Sequence, residues 1–242
     1  MKETLGCIRR ADQDFSMIAE GDTILVGVSG GKDSLLLLYA LGLYRKFSTH
    51  RFTLKAATIA MGFEPFDTSG VESLCAQLDI PYSIKHTQIA QILFEQRKEK
   101  NPCSLCAKMR RGVLNDLAVE LGCNKVALGH HREDVLETLL LSLLHEGRLH
   151  TFQPVTYLSR KRITVIRPMI YLPEKHIIHM RAQLNLPVIE NPCPANGYTR
   201  REDMGKMLDA LCKDTPDAKE KMLNALRNVD QYGLWDPKMW GG

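Results

Sequence analysis

Six consecutive residues, Ser29, Gly30, Gly31, Lys32, Asp33 and Ser34, carry the most specific chemistry in the sequence. They follow the apolar, β-rich run 23–28 and precede a helical pattern at 34–44. Adjacent glycines let a backbone come close to an anion and take up positive φ. The N–H groups left open at a helix start then face that anion, helped by the positive end of the helix dipole. Ser29 and Ser34 add hydroxyl donors, and Lys32 adds a positive charge. Together these residues describe a pyrophosphate cradle. It is not a Walker A loop, because Val26 and Asp33 stand where that pattern needs glycine and a hydroxyl residue, and no GxGxxG pattern occurs either.

A second group lies at 129–140, reading GHHREDVLETLL, where a strand end passes into a helix. In an open α/β sheet, ligands gather at such strand ends. Glu133, Asp134 and Glu137 suit a helix start simply because carboxylates complement its dipole. Alternatively, Asp134 or Glu133 holds a Mg²⁺ that bridges ATP phosphates, since that ion takes one or two carboxylates together with phosphate oxygens. His130 and His131 either contact a phosphate or pack. Gly129 and His130 join residues 29–34 in the expected nucleotide-binding set.

The third group is sulfur. The sequence has seven cysteines and no pattern of a secretion signal in its first twenty residues, so reduced thiols are expected rather than a disulfide framework. Cys7, Cys75, Cys123 and Cys212 stand singly in helical or near-helical patterns and read as small core residues. Cys103 and Cys106 form a CxxC before a long helical pattern, and Cys193 lies between Pro192 and Pro194 in a stretch without apolar periodicity. A redox pair, half a zinc site and part of an iron–sulfur site all remain open for these three. Three thiolates on a [4Fe–4S] cube would leave one iron without a protein ligand.

These groups need a scaffold to bring them together. Forty-four per cent of the 242 residues are hydrophobic and 25% are charged, which excludes disorder and collagen-like structure. No apolar run approaches the ~18 residues of a membrane span. The net charge of +4 permits an anionic partner without demanding one. Short apolar runs alternate with helical patterns from residue 23 to about residue 145, which indicates βαβ units. The expected fold is α/β: a doubly wound, mostly parallel sheet with helices on both faces and a small helical C-terminal extension. Along the chain this divides into an N-terminal helix (1–22), a nucleotide-binding domain (23–190), and a cysteine loop with helices (191–242).

SGGxDS after the first strand resembles the signature of the PP-loop, or N-type ATP pyrophosphatase, superfamily. That resemblance implies cleavage of ATP between its α and β phosphates and adenylation of a carbonyl-type oxygen. SGGKDS, then PCSLCAKMRRG, then LGHHREDVLETLL, then a late cysteine, is similar in order to the tRNA 2-thiocytidine synthetase (TtcA-like) branch over residues 8–201. Differences from the branch are that one late cysteine replaces the common CxxC, that Glu133–Asp134 stands for the Asp pair of its GHxxDD, and that Met61 stands where an Asp is usual.

The branch implies a [4Fe–4S] cluster on Cys103, Cys106 and Cys193, with Mg²⁺ on Asp134. It implies a catalytic set of Lys32, Asp134, Cys103 and Cys193, and thiolation of a pyrimidine 2-oxo group, cytidine 32 of tRNA. Arg110 and Arg111 after the CxxC, with Arg200 and Arg201 after Cys193, would then face the RNA backbone. The expected partners are tRNA, a sulfur donor such as a cysteine desulfurase or free sulfide, and a second copy of the chain, all in the cytoplasm without membrane contact. The alternatives are thiolation or amidation of a small molecule, thiolation of a uridine elsewhere in tRNA, and a zinc- or nucleotide-sensing protein.

Overall fold

α1 (Lys2–Phe15) opens the chain, and β1 (Thr23–Gly27) and α2 (Lys32–Tyr44) form the pair that frames the expected cradle. The structure, a computed structural model, describes residues 1–63, 66–97, 102–189, 193 and 200–228. The prolines flanking Cys193 and the tail from residue 229 lie outside these residues. In β1, Ile24, Leu25 and Val26 are fully buried, as are Leu35, Leu36, Leu37 and Leu38 in α2. A helix that is apolar on every side has to be covered on every side. α2 is covered by β1 and β2 (Thr53–Ala60), and by the first and seventh helices of the chain.

The alternation continues through α3 (Ser69–Gln77), β3 (Tyr82–His86) and α4 (Ile89–Gln91), which runs on as a π-helical turn to Gln96. Next come α5 (Pro102–Glu120), β4 (Lys125–Ala127) and α6 (Arg132–Leu141), the last running on as a second π-helical turn to Glu146. β5 (Val155–Leu158), β6 (Ile163–Ile166), α7 (Glu174–Gln183), α8 (Arg200–Asp214) and α9 (Ala218–Ala225) complete the described elements. The CxxC, expected just ahead of the long helix, lies inside its first turns. Pro102 supplies a first helical position whose missing N–H costs nothing.

The six strands are ordered β3-β2-β1-β4-β6-β5, with every neighbouring pair parallel except β5 and β6. The expected mostly parallel α/β sheet is therefore present. Successive connections run outward from β1 to β2 and β3, then cross over to β4, so the winding reverses between β1 and β4. Val26 stands beside Ala127, and Ala127 beside Ile166, so the C-terminal ends of β1, β4 and β6 share one edge.

By compactness, Met1–Arg132 with Phe152–Thr199 makes one unit, and Glu133–Thr151 with Arg200–Gly242 makes another. Compactness thus groups residues discontinuously, whereas the expected three-part division runs along the chain. In the first unit, α5 lays Leu114, Leu117 and Ala118 against Leu25, Ala57, Val126 and Val165 of the sheet. At the opposite edge from the cradle, Lys125 approaches Asp22 at 2.6 Å, and Asp22 also accepts from the Ala19 N–H at 2.6 Å and from Asn124 at 2.7 Å. Burial by itself would raise this carboxyl, but the three donors and the Lys125 charge outweigh it and hold the group below its ordinary value. In the second unit, Leu136 and Leu140 pack with Met204 and Leu208, and Met222, Leu223 and Leu226 partly cover them.

Candidate active site

The turn between β1 and α2 is held from within and from both flanks. Ser29 N–H donates to Ser34 Oγ at 3.1 Å, and Ser34 Oγ donates to the Gly31 carbonyl at 3.0 Å. Gly30 has φ +85°, the left-handed region that glycine enters without penalty. A Cβ there would also lie 2.9 Å from the Ile189 Cβ, and the Ile189 N–H donates to the Gly30 carbonyl at 3.0 Å. On the other flank, a Cβ on Gly129 would meet the backbone of Asp33 and Ser34 at 3.0–3.1 Å. Gly30 is therefore demanded by its positive φ and the Ile189 side chain, and Gly129 by the close approach of the α2 backbone.

Lys32 places its ammonium 3.2 Å from Asp33 Oδ1 and 3.0 Å from Glu174 Oε1, at the start of α7. Burial opposes its charge, but Asp33 and Glu174 outweigh burial and raise the Lys32 pKa. His131 is buried, with Nε2 3.8 Å from Asp33 Oδ1. The His130 ring packs against Phe152 at 4.8 Å between centroids.

Cys103 is exposed, whereas Cys106 and Cys193 are half-buried. Cys106 Sγ lies 3.6 Å from the sulfur of Met61, the residue that follows β2. The Cys106 thiol is pushed up chiefly by burial, against the pull of Arg110, with further upward pushes from Cys193 and Cys103. Cys106 therefore lies near both other thiols, at the edge of the sheet that bears the cradle. Among the described residues, no group of three His, Cys, Asp or Glu side chains is drawn together tightly enough to hold a metal ion. The donor set still suits an iron–sulfur cluster: three thiols, one neighbouring guanidinium, and no fourth cysteine in the group.

The family model for the PP-loop domain matches residues 7–203. The tRNA-cytidine(32) 2-sulfurtransferase of Pelobacter propionicus is 39% identical over 97% of this chain and 88% of its own. That of Geobacter sulfurreducens is 38% identical over 97% and 93%. The chain belongs to the PP-loop family, on the branch of these 2-sulfurtransferases. Among solved structures, the U34-tRNA thiolase NcsA of Methanococcus maripaludis, with its [4Fe–4S] cluster, superposes with a TM-score of 0.77 at 26% identity. That match covers 96% of this chain and 79% of the thiolase. The NH3-dependent NAD synthetase of Campylobacter jejuni shares the fold alone, with a TM-score of 0.51 at 20% identity over 98% and 88% of the two chains.

This PP-loop chain carries its remaining motif residues on α5, α6 and α8. Asp134 and Glu137 belong to the second unit, where Arg201 reaches them at 3.4 and 3.6 Å and donates to Thr138 Oγ1 at 3.0 Å. Glu133 is buried, with Lys219 at 3.9 Å. Arg200 is exposed, Arg111 donates from Nε to the Ala107 carbonyl at 3.2 Å, and Arg110 is half-buried. Of the four cysteines read as core residues, Cys75 and Cys123 are buried, while Cys7 and Cys212 are only half-buried. For Cys75, burial first and Glu72 second push the thiol up to about 11.

Sequence reasoning missed Glu174, Ile189, Phe152 and Arg167. Arg167 had a usable signal, because it directly follows a strand of the parallel sheet, at the edge where PP-loop ligands would gather. Burial first and Arg111 second lower its pKa to about 10.

Proposed function

We propose that this PP-loop chain is an ATP-dependent tRNA 2-sulfurtransferase acting on the 2-oxo group of cytidine 32. One observation supports this reading above the others. Cys106, whose thiol Cys193 and Cys103 help to push up, lies against Met61 at the end of β2, on the same sheet edge as the anion cradle. A cradle alone would fit any PP-loop adenylating enzyme, and the thiols favour sulfur chemistry.

The N–H groups of residues 30–34 and the Lys32 ammonium hold the β and γ phosphates of ATP. The pyrimidine oxygen attacks the α phosphorus, the bond to the bridging oxygen breaks, and pyrophosphate leaves with that electron pair. Lys32 and the helix dipole stabilise the charge that develops on pyrophosphate. The poor leaving oxygen of the base thereby becomes part of AMP. A sulfur nucleophile then adds at C2 and AMP departs. Cys103, Cys106 and Cys193 would hold a [4Fe–4S] cluster, which when bound supplies an iron without a protein ligand where a sulfur atom can be carried. Burial raises the Cys106 pKa, and Arg110 offsets part of that cost to the thiolate that ligation requires. Asp134 is assigned Mg²⁺ on its place in the GHHRED motif. The target base must leave its stack to enter such a site.

The test is anaerobic purification followed by metal analysis and thiolation of unmodified tRNA with ATP and sulfide. Brown protein with about four irons per chain, and ATP-dependent 2-thiocytidine in digested tRNA, are expected. Cys193→Ala should lose colour and thiolation while keeping its Tm and its affinity for ATP. Stoichiometric zinc without iron, or no thiolated nucleoside, would overturn the reading.

A further inference from the structure

Arg167 follows the last residue of β6, on the edge where β1 passes into the phosphate loop and β4 into Gly129. It is only 6% exposed. Its Nη1 donates to the Gln153 carbonyl at 2.6 Å and to Thr156 Oγ1 at 3.3 Å, and its guanidinium lies 4.9 Å from the centre of the Phe152 ring. The buried Nε has no hydrogen-bond partner, and among the described residues no carboxylate reaches the group. The charged side chain that acts on it, Arg111 of α5, has the same sign. Arg110, next to Arg111, also leaves its own buried Nε without a hydrogen-bond partner.

A buried cation with no acid and a like-charged neighbour is unfavourable unless something else completes it. Buried donors left unmade are uncommon, and each calls for an explanation. A planar fork of donors with one face on an aromatic ring matches the oxygens of a phosphate group. The nucleotide already has its own cradle two strands away, about 10 Å at the usual strand spacing. Arg167 sits instead near Arg111, which follows Arg110 on α5, the helix that also carries Cys106.

We propose that Arg167 is a phosphodiester anchor for the RNA substrate, its unpartnered Nε taking a backbone oxygen beside the target nucleotide while Phe152 holds the guanidinium flat. This rests on the tRNA reading given under Proposed function. ATP offers the same oxyanion chemistry, so both sources are tested.

Binding of an unmodified tRNA transcript is measured across a salt series, and binding of ATP by calorimetry, for wild type, Arg167→Met and Arg167→Lys. Loss of one charge-assisted contact predicts transcript binding weakened about tenfold or more by Arg167→Met. It also predicts a log–log salt slope shallower by about 0.9, the value of one phosphate contact. ATP affinity should stay within about twofold, and Tm should hold or rise because methionine replaces an uncompensated charge. Arg167→Lys should keep the slope and lose affinity, since a point charge lacks the fork.

Unchanged transcript affinity and slope in Arg167→Met overturns the anchor, as does an equal loss of ATP binding, which would give the site to the nucleotide. If Arg167→Met fails to fold, Arg167→Lys decides: weaker transcript binding at unchanged Tm supports the anchor, and wild-type binding overturns it. Wild-type protein that binds no transcript removes the tRNA reading itself. Normal wild-type binding with unaffected variants removes only the anchor.

Discussion

Gly129→Ala and Gly6→Ala are the same chemical change and should act in opposite directions. Gly6 lies inside α1 with nothing within 4 Å of an added Cβ. Alanine there relieves the entropy that glycine loses in a helix, which stabilises by about 0.5–1 kcal/mol. At Gly129 the new carbon would stand 3.0 Å from the Asp33 carbonyl carbon, and 3.1 Å from both the Asp33 oxygen and the Ser34 nitrogen. Those are backbone atoms of the first turn of α2, with no rotamer to move aside. Overpacking of this kind costs about 1–3 kcal/mol. The loop either shifts, and the cost appears in ATP binding, or stays, and the cost appears in folding. At 1.4 kcal/mol per decade, the first case weakens ATP about 5- to 150-fold. In a chain of this length, the second lowers Tm by about 2–12 °C. Calorimetry with ATP and thermal unfolding of the same samples separate the two, while Gly6→Ala should raise Tm by about 1–4 °C and leave ATP binding alone. The reasoning is refuted if Gly129→Ala keeps both its Tm and its ATP affinity.

Three further outcomes follow from other contacts. Asp22 has its pKa lowered by the fold, so its contribution is complete above the unfolded carboxyl value of about 3.9 and is lost as pH falls through the lowered folded value. Asp22→Asn, which strands a mostly buried Lys125, should cost about 3 kcal/mol at pH 7 and flatten the acid limb of a stability–pH curve; an unchanged acid limb would contradict this. Glu174→Gln removes one of the two acids that hold Lys32 and should tighten ATP by about two- to fivefold, the scale of a half-exposed ion pair, so weaker binding would argue against Lys32 meeting phosphate. Asp134→Asn keeps the side chain's shape and a hydrogen-bond acceptor for Arg201, and should leave Tm within about 2 °C while slowing pyrophosphate release at least about tenfold; wild-type release would leave only the pairing with Arg201.

The sheet and its helices were legible because each strand is a short apolar run and each helix has its own periodicity. α2 is the clearest case, since a nearly all-apolar helix beside a β-rich run has few places to go except the core. The start of α5 was less legible: residues 102–104 carry no apolar period, and only Pro102 signals that the helix begins there. The π-helical turns at Ile92–Gln96 and Ser142–Glu146 extend helices that periodicity already predicted, and one extra residue per turn leaves no compositional mark. For the candidate site, motif spacing picked out Gly30 and Gly129, and the close contacts at both are what such motifs exist to allow. Arg167 could be placed at a strand end from sequence, but its burial could not. Its burial depends on Phe152, Gln153 and Thr156, eleven to fifteen positions earlier, and nothing in its immediate neighbours separates it from a solvated strand end. Glu174 pairs with Lys32 across most of the chain, and local sequence carries no trace of such a partner.

The bond from Ile189 N–H to the Gly30 carbonyl sets a timetable for biosynthesis. A ribosome makes the SGGKDS turn early and reaches residue 189 about 160 residues later, roughly 8–30 s at ordinary elongation rates. Until then, the nascent chain has the motif without the side chain that buttresses it. Competence to hold a nucleotide therefore comes near the end of synthesis of the first unit, and an emerging fragment that contains every signature residue of the turn would still be a poor binder.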